Sequence, residues 1–326
     1  MPVAYAAAAS EAGAIARVAR AQGAEFIAGG TDMLQLLQER VRAPAELIDI
    51  NRLPLAAIEV GADGARIGAL ARMADVADHP GIRGGFPAVA EALLASASPQ
   101  VRNMASIGGN LLQRTRCLYF RDVATPCNRR APGSGCPARE GQNRLHAILG
   151  GSPHCIAVYP GDLAVALVAL DADVHVRGAA GERVIPVERL HRLPGDTPHV
   201  ETVLELGELI TAVTIPATGH ARRSHYLKVR DRASFEFALA SAAVALDVEG
   251  DAIRQARVAV GGVATTPWRL PQVEEALIGR PLTGEVLREA AARAAAGAEP
   301  RGLNAFKVTL LPRTVERALR VVGGLA

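Results

Sequence analysis

Aromatic residues make up only 3% of this 326-residue chain, with one tryptophan, four tyrosines and six phenylalanines. Single strands of nucleic acid are held by stacking bases on such rings, so this scarcity argues against that partner. A strong charge of one sign is also missing. The net charge is +3, arginines are scattered, and no basic run is interleaved with aromatics. No uninterrupted apolar run reaches the roughly 20 residues that cross a bilayer. The opening MPVAYAAAASEAGAIARVARAQGAEFIAGG lacks a basic segment leading into an apolar one, because Glu11, Arg17 and Arg20 interrupt its alanines. It reads as an amphipathic helix rather than an export signal, and the chain as soluble and made in the cytoplasm. Neither G-x-G-x-x-G nor G-x-x-x-x-G-K-[ST] occurs, and H-E-x-x-H and a nucleophile elbow are missing too. Cysteine is scarce, with four residues in 34.0 kDa, too few for a disulfide-stapled scaffold.

What is present suffices for a large core. Hydrophobic residues are 49% of the chain, and the length predicts two domains. A helix is predicted over 10–22, ending at Gly23, then a strand over Glu25 to Ala28 running into Gly29-Gly30. Thr31 or Asp32 is placed to cap the helix MLQLLQERV. ELIDINRL and AAIEVGADGARIGAL read as strands, residues 72–96 as helical and punctuated by Pro80 and Pro87. DLAVALVALDADVHVRG gives a helix and a strand, while ERVIPVERL and GELITAVTIP read as strands. Past residue 218 the pattern changes to long alternating strands in HYLKVRDRASFEFALASAAVALDVEGDAIRQARVAVGGVA, then amphipathic helices in VEEALIG, GEVLREAAARAAAG and LPRTVERALRVV. This divides the chain into an α/β domain over 1–218 and a smaller α+β domain over 219–326.

Two glycine turns stand out: Ala28-Gly29-Gly30-Thr31-Asp32 ahead of a helix, and Ser106-Ile107-Gly108-Gly109-Asn110 in what reads as a loop. Such turns bring free backbone N–H groups close to a ligand and favour an anion.

In the order IAGGTDMLQLL, ASIGGNLLQ, YPGDLAVAL, HYLKVRDRASFEFALASAAVAL, the chain resembles the FAD-binding subunit of the xanthine dehydrogenase and aldehyde oxidoreductase family of molybdenum hydroxylases. The resemblance covers nearly the whole chain. It implies an α+β architecture: a vanillyl-alcohol-oxidase-type FAD-binding fold of two α/β subdomains, then an α+β C-terminal domain. It implies that Ala28, Gly29, Gly30, Thr31, Asp32 and Met33, with Ser106, Ile107, Gly108, Gly109 and Asn110, wrap the FAD pyrophosphate and ribityl chain. By the same resemblance Asp162 accepts hydrogen bonds from the cofactor, Ile210 lies against the flavin, and Lys228 sits near the isoalloxazine, where a cation favours the reduced anion. From the residues alone, Asp162 reads as a helix cap, Ile210 as core and Lys228 as an exposed strand lysine. Where some family members carry an aromatic over the flavin, this chain has Ser96.

All four cysteines fall in one segment, RTRCLYFRDVATPCNRRAPGSGCPAREGQNRLHAILGGSPHC. Cys117, Cys127, Cys136 and Cys155 contain no C-x-x-C pair, so zinc fits less well than a cluster held by a long wrapping loop. Free thiols, two disulfides, zinc and iron–sulfur all remain open from the residues alone. Arg114, Arg116, Arg121, Arg129, Arg130, Arg139 and Arg144 meet only Asp122 and Glu140 within the segment, a surplus suited to an anionic cluster. Most of the family lacks this insertion at about 114–156. CLYFRD, CNRRAPGSGC and NRLHAILGGSPHCIA resemble the flavoprotein subunit of bacterial periplasmic aldehyde oxidoreductases, which implies a 4Fe-4S cluster on the four cysteines. His146 and His154 are then structural.

The resemblance implies an electron-transfer subunit with no general base of its own. Its partners would be a large subunit oxidising an aldehyde at a molybdenum cofactor, a small subunit with 2Fe-2S clusters, and an external acceptor. It also implies co-export to the periplasm on a twin-arginine signal of the small subunit. The alternatives are a flavoprotein subunit of xanthine dehydrogenase or hydroxybenzoyl-CoA reductase type, a self-sufficient flavin oxidase, and a zinc-stabilised assembly protein.

Overall fold

The structure, a computed structural model, describes residues 3–326; Met1 and Pro2 of the opening segment lie outside the described residues. Three sheets organise the described residues. The first is parallel: β1 (Ala4–Ala7), β2 (Ala24–Ile27) and β3 (Glu46–Asp49), in the order β1-β3-β2. The helix Glu11–Arg20 forms the crossover after β1. Ser10 caps it by accepting from the Gly13 N–H at 3.1 Å, and its acidic start and basic end match the helix dipole. Ala14, Ile15 and Val18 form its buried stripe and join Ile48 and Leu53 in one core. The first glycine turn leaves the carboxyl end of β2, the end at which parallel sheets bind ligands.

The second sheet is antiparallel, with β4 (Ile58–Gly61), β5 (Gly64–Gly68), β6 (Asp173–Gly178), β7 (Gly181–Pro186) and β8 (Leu209–Pro216) in the order β4-β5-β8-β6-β7. Ala65, Ile67, Val174, Val176, Val213 and Ile215 alternate inward. Against them lie the helices between residues 73 and 111 and the wholly buried helix Leu163–Ala169. The expected strand ERVIPVERL stops at Pro186 and Val187–Leu190 is helical. Proline has no N–H to extend the ladder, and Val187 and Leu190, one helical turn apart, both reach the core.

The third sheet takes β9 (Ser224–Val229), β10 (Ala240–Glu249), β11 (Ala252–Gly261) and β12 (Trp268–Arg269) in the order β12-β11-β10-β9. Its two faces serve two cores. Ala243, Ala245 and Ala259 pack toward the glycine-turn side with Leu163 and Val165, whereas Ala242, Val244, Leu246, Val258 and Val260 pack under the C-terminal helices Pro271–Leu277, Gly284–Ala291 and Phe306–Gly323. The run of small residues in β10 lets helices approach from both sides.

Candidate cofactor site

The two glycine turns meet. A Cβ placed on Gly29 would lie 2.0 Å from the Met104 carbonyl oxygen, so only glycine permits this contact. Gly30 has φ +70, in the left-handed region. The second turn is not a loop as expected: Ile107–Leu111 is a short helix, with Ser106 accepting from the Gly109 N–H at 3.3 Å. It is strapped to the chain beyond β5, where the Ile107 and Gly108 N–H groups donate to the Ala71 and Ala69 carbonyls at 3.0 and 2.8 Å. Two residues missing from the sequence reading brace both turns. Asn51 Nδ2 donates to the Ala28 carbonyl at 3.0 Å, and Arg72 Nη1 to the Met104 carbonyl at 2.6 Å; Arg72 Nη2 also donates to Asn51 Oδ1 at 2.9 Å. Neither lies in a recognisable motif.

Between the turns runs a cleft of about 610 Å³, within the range of small-molecule sites. Every cofactor candidate from the sequence lines it except Ile107, which is 1% exposed and points into the core. Asn110 presents a buried Oδ1 with no hydrogen-bond partner, an acceptor left open at the wall. Glycine backbones, an orphaned acceptor and apolar walls at Ile27, Leu70 and Ile210 fit an elongated cofactor with polar and flat apolar parts. Phe235 and Phe237, exposed large apolar side chains, also line the cleft.

Asp162 stands at the start of its helix, but its side chain makes no cap bond. Both oxygens are taken up instead. Oδ1 accepts from the Tyr226 hydroxyl at 2.5 Å, and Oδ2 lies 2.8 Å from both the Lys228 ammonium and the Ser96 hydroxyl. Burial, and then Asp162, push the Tyr226 phenol far up, so it stays a donor. The cap reading of Asp162 is therefore corrected. Lys228 is likewise no exposed lysine: its side chain is 3% accessible and its charge is met by Asp162.

The cysteine segment is mostly irregular, with a short helix Leu118–Arg121 and a 3-10 turn Pro137–Arg139. Gly133 and Gly135, at φ +83 and +108, turn the chain as the composition suggests. Cys117, Cys127, Cys136 and Cys155 are free thiols around one small cavity, joined by Arg129 and His154. Burial pushes the Cys117 thiol up to about 12 and also raises Cys136, so a metal would have to displace protons there. Among the described residues no three His, Cys, Asp or Glu side chains stand as ligands of one metal ion. All four are donors of the type that iron–sulfur clusters use, and all four line this one cavity.

The expected arginine surplus is not aimed at this cavity. Arg116 and Arg121 pair with Asp32, Arg114 and Arg129 with Glu201, and Arg144 with Asp231. Arg130 and Arg139 donate to backbone carbonyls. Only Arg129 among them lines the cavity. Acids distant in sequence absorb the charge that a count within the segment left over. His146 is closer to the cysteines than expected, with Nε2 3.1 Å from Cys117 Sγ. His154 lies 3.3 Å from Asp196.

Residues 1–218 match the family described as FAD binding domain in molybdopterin dehydrogenase, and residues 225–322 match the CO dehydrogenase flavoprotein C-terminal domain. The chain is 46% identical over 303 residues to the aldehyde oxidoreductase FAD-binding subunit PaoB of Escherichia coli (strain K12), covering 92% of each. It is 27% identical to the carbon monoxide dehydrogenase medium chain of Hydrogenophaga pseudoflava, covering 91% of this chain and 88% of that one. A solved structure of that organism's carbon monoxide dehydrogenase superposes with a TM-score of 0.78 at 26% identity, covering 100% of this chain and 99% of the other. The chain belongs to the FAD-binding medium subunits of the molybdenum hydroxylase family.

Proposed function

We propose that this chain is the FAD-binding electron-transfer subunit of a heterotrimeric, molybdenum-dependent aldehyde oxidoreductase. Electrons would reach it from the 2Fe-2S clusters of a small subunit, after aldehyde oxidation at the molybdenum cofactor of a large one, and leave to an external acceptor. The observation that carries this reading is the convergence of both glycine turns, Asp162, Ile210 and Lys228 on one cleft, in a chain 46% identical to an aldehyde oxidoreductase subunit. The chain would divide near residue 218, between β8 and β9.

When bound, FAD supplies the conversion between one-electron and two-electron transfer. Ala28 to Met33 would hold its pyrophosphate by backbone N–H groups, and Ser106 to Asn110, whose N–H groups from Ile107 to Asn110 are already donated within the protein, would wall the ribityl chain, with the open Asn110 Oδ1 accepting from it. Ile210 would flank the ring. Lys228 already donates to Asp162 and to the Ala95 carbonyl, at 2.8 and 3.2 Å. It would serve as an oriented donor within a neutral pair, and not as a free cation. Asp162 would act mainly by fixing Lys228.

Cys117, Cys127, Cys136 and Cys155 would hold a 4Fe-4S cluster, with Arg129 and the N–H of Ala157, 3.4 Å from Cys155 Sγ, offsetting its charge. The test is the visible spectrum of the anaerobically purified chain, with flavin, iron, acid-labile sulfide and zinc assayed together. One FAD with about four iron and four sulfide is expected. Zinc without flavin rejects both assignments, and flavin without iron rejects the cluster. The partners are tested by co-purification from native extracts as three subunits. Periplasmic residence by co-export is a hypothesis resting on the resemblance of the cysteine segment; native complex found only in the cytoplasmic fraction refutes it.

A further inference from the structure

The cleft and the cysteine segment are joined through one carboxylate. Asp32 belongs to the first glycine turn, yet it makes no cap bond to the helix Met33–Gln38 that it precedes. Its Oδ2 accepts from the Arg114 backbone N–H at 2.8 Å, and its Oδ1 from Arg116 Nη1 at 2.6 Å and Arg121 Nη2 at 2.9 Å. All three donors flank Cys117. Arg121 is itself fixed, donating to the Thr115 carbonyl and to Glu39 at 3.0 Å each. Side-chain exposure is 10% for Arg121, 17% for Asp32 and 25% for Arg116, so water competes weakly for these bonds. Burial opposes the charge on Asp32, but Arg116, the Arg114 N–H and Arg121 together hold its carboxyl below the usual range.

Two other links run beside it. Leu36, on the helix after the turn, packs with Phe120 and Cys127 in a separate small core. Arg114, on the cleft wall, pairs with Glu201, whose other oxygen accepts from Arg129 Nη1 at 2.8 Å at the cysteine cavity. The segment between these anchors has little regular structure of its own. Arg114, Arg116 and Arg121 bracket Cys117 in this irregular segment, so the position of that cysteine bears on theirs.

We propose that Asp32 is a positioning residue that makes the shape of the first glycine turn depend on the cysteine-rich segment, so that tight flavin retention requires the metal centre on Cys117, Cys127, Cys136 and Cys155. This rests on the reading of both sites given above. Loss of the metal frees the segment, Asp32 loses its donors, and the turn relaxes away from the geometry that brings its N–H groups to the cofactor. The dependence is thermodynamic and reciprocal: bound flavin protects the metal centre from chelation.

The test is a double cycle on the full chain purified anaerobically, with the flavin dissociation constant read from the fluorescence of released flavin and iron measured on the same samples. Iron removal by a chelator is expected to weaken flavin binding roughly tenfold, and Asp32→Asn to weaken it similarly while iron stays bound. In Asp32→Asn, iron removal should then add little. Effects that multiply would mean that Asp32 touches flavin without relaying the metal, and overturn the proposal. So would iron removal that leaves flavin affinity unchanged. Thermal unfolding checks that each form is folded; if Asp32→Asn is not, Arg116→Gln replaces it in the cycle. A purified chain without flavin overturns the functional reading itself, whereas flavin without any iron overturns the cluster and this coupling with it and leaves the flavin reading standing.

Discussion

The Lys228 ammonium lies 2.8 Å from Oδ2 of Asp162, with side-chain exposures of only 3% and 6%. Their enclosure in the cleft wall makes each the other's main counter-charge. Removing one partner leaves a buried charge uncompensated, which typically costs about 3–5 kcal/mol. Asp162→Ala is expected to lower the unfolding free energy by that amount in urea titration. The pair Asp162→Asn with Lys228→Met should recover part of the loss. A double variant no more stable than Asp162→Ala would show that the ion pair is not what the site depends on.

The contact between the glycine turns is equally specific. Gly29→Ala sets a methyl against the Met104 carbonyl, with its Cβ 2.0 Å from the oxygen. Backbone must move, so a destabilisation of about 1–3 kcal/mol is expected, together with a lower flavin-to-protein ratio. Gly84→Ala meets no atom within 4 Å and is the control. It should leave flavin content and melting temperature nearly unchanged, and equal effects of the two substitutions would remove the steric explanation.

These two cases also mark what can be read from the chain itself. The glycine turns are legible because their chemistry is local: Gly-Gly followed by Thr-Asp or Asn needs no distant information. Ile107 shows the limit of the same reasoning, because membership of a turn does not say which way a side chain faces, and this one faces the core. Asp162 is not legible as an ion-pair partner, since Ser96, Tyr226 and Lys228 come from elements far apart in sequence. The arginines of the cysteine segment mislead for that reason too. Their acids, Asp32, Glu201 and Asp231, arrive only with the fold. The strands alternate visibly where one face is buried, but the end of β7 depends on Pro186 and on which residues the core accepts.

His191 predicts acid sensitivity. It is enclosed beside Tyr159, ring centroids 4.3 Å apart, its Nε2 lies 2.9 Å from the Leu111 carbonyl, and its Nδ1 has no partner. Burial depresses its pKa to about 4. The unfolded chain, with histidine near 6.5, binds the extra proton between those values, so stability is lost as pH falls from about 6.5 toward 4. The slope from this one group is up to about 1.4 kcal/mol per pH unit. His191→Gln should flatten the stability–pH curve in that window, measured by urea unfolding at several pH values. An unchanged slope would place the acid sensitivity elsewhere.

Lys307 gives the opposite edge of the pH range. It is 0% exposed on the helix Phe306–Gly323, and its ammonium donates to the Gly262 carbonyl at 2.6 Å. Burial, with repulsion from Arg144, lowers its pKa to about 7. The unfolded chain keeps the proton up to about 10.4, so between pH 7 and that value the unfolded state binds more protons and stability rises with pH. The gain is up to about 1.4 kcal/mol per pH unit across the window. Lys307→Met cannot titrate, so its unfolding free energy should lack this rise, while losing about 1–3 kcal/mol for the Gly262 carbonyl left without a donor. Parallel curves for the two chains above pH 7 would show that Lys307 stays charged in the fold, which would require a counter-charge beside it.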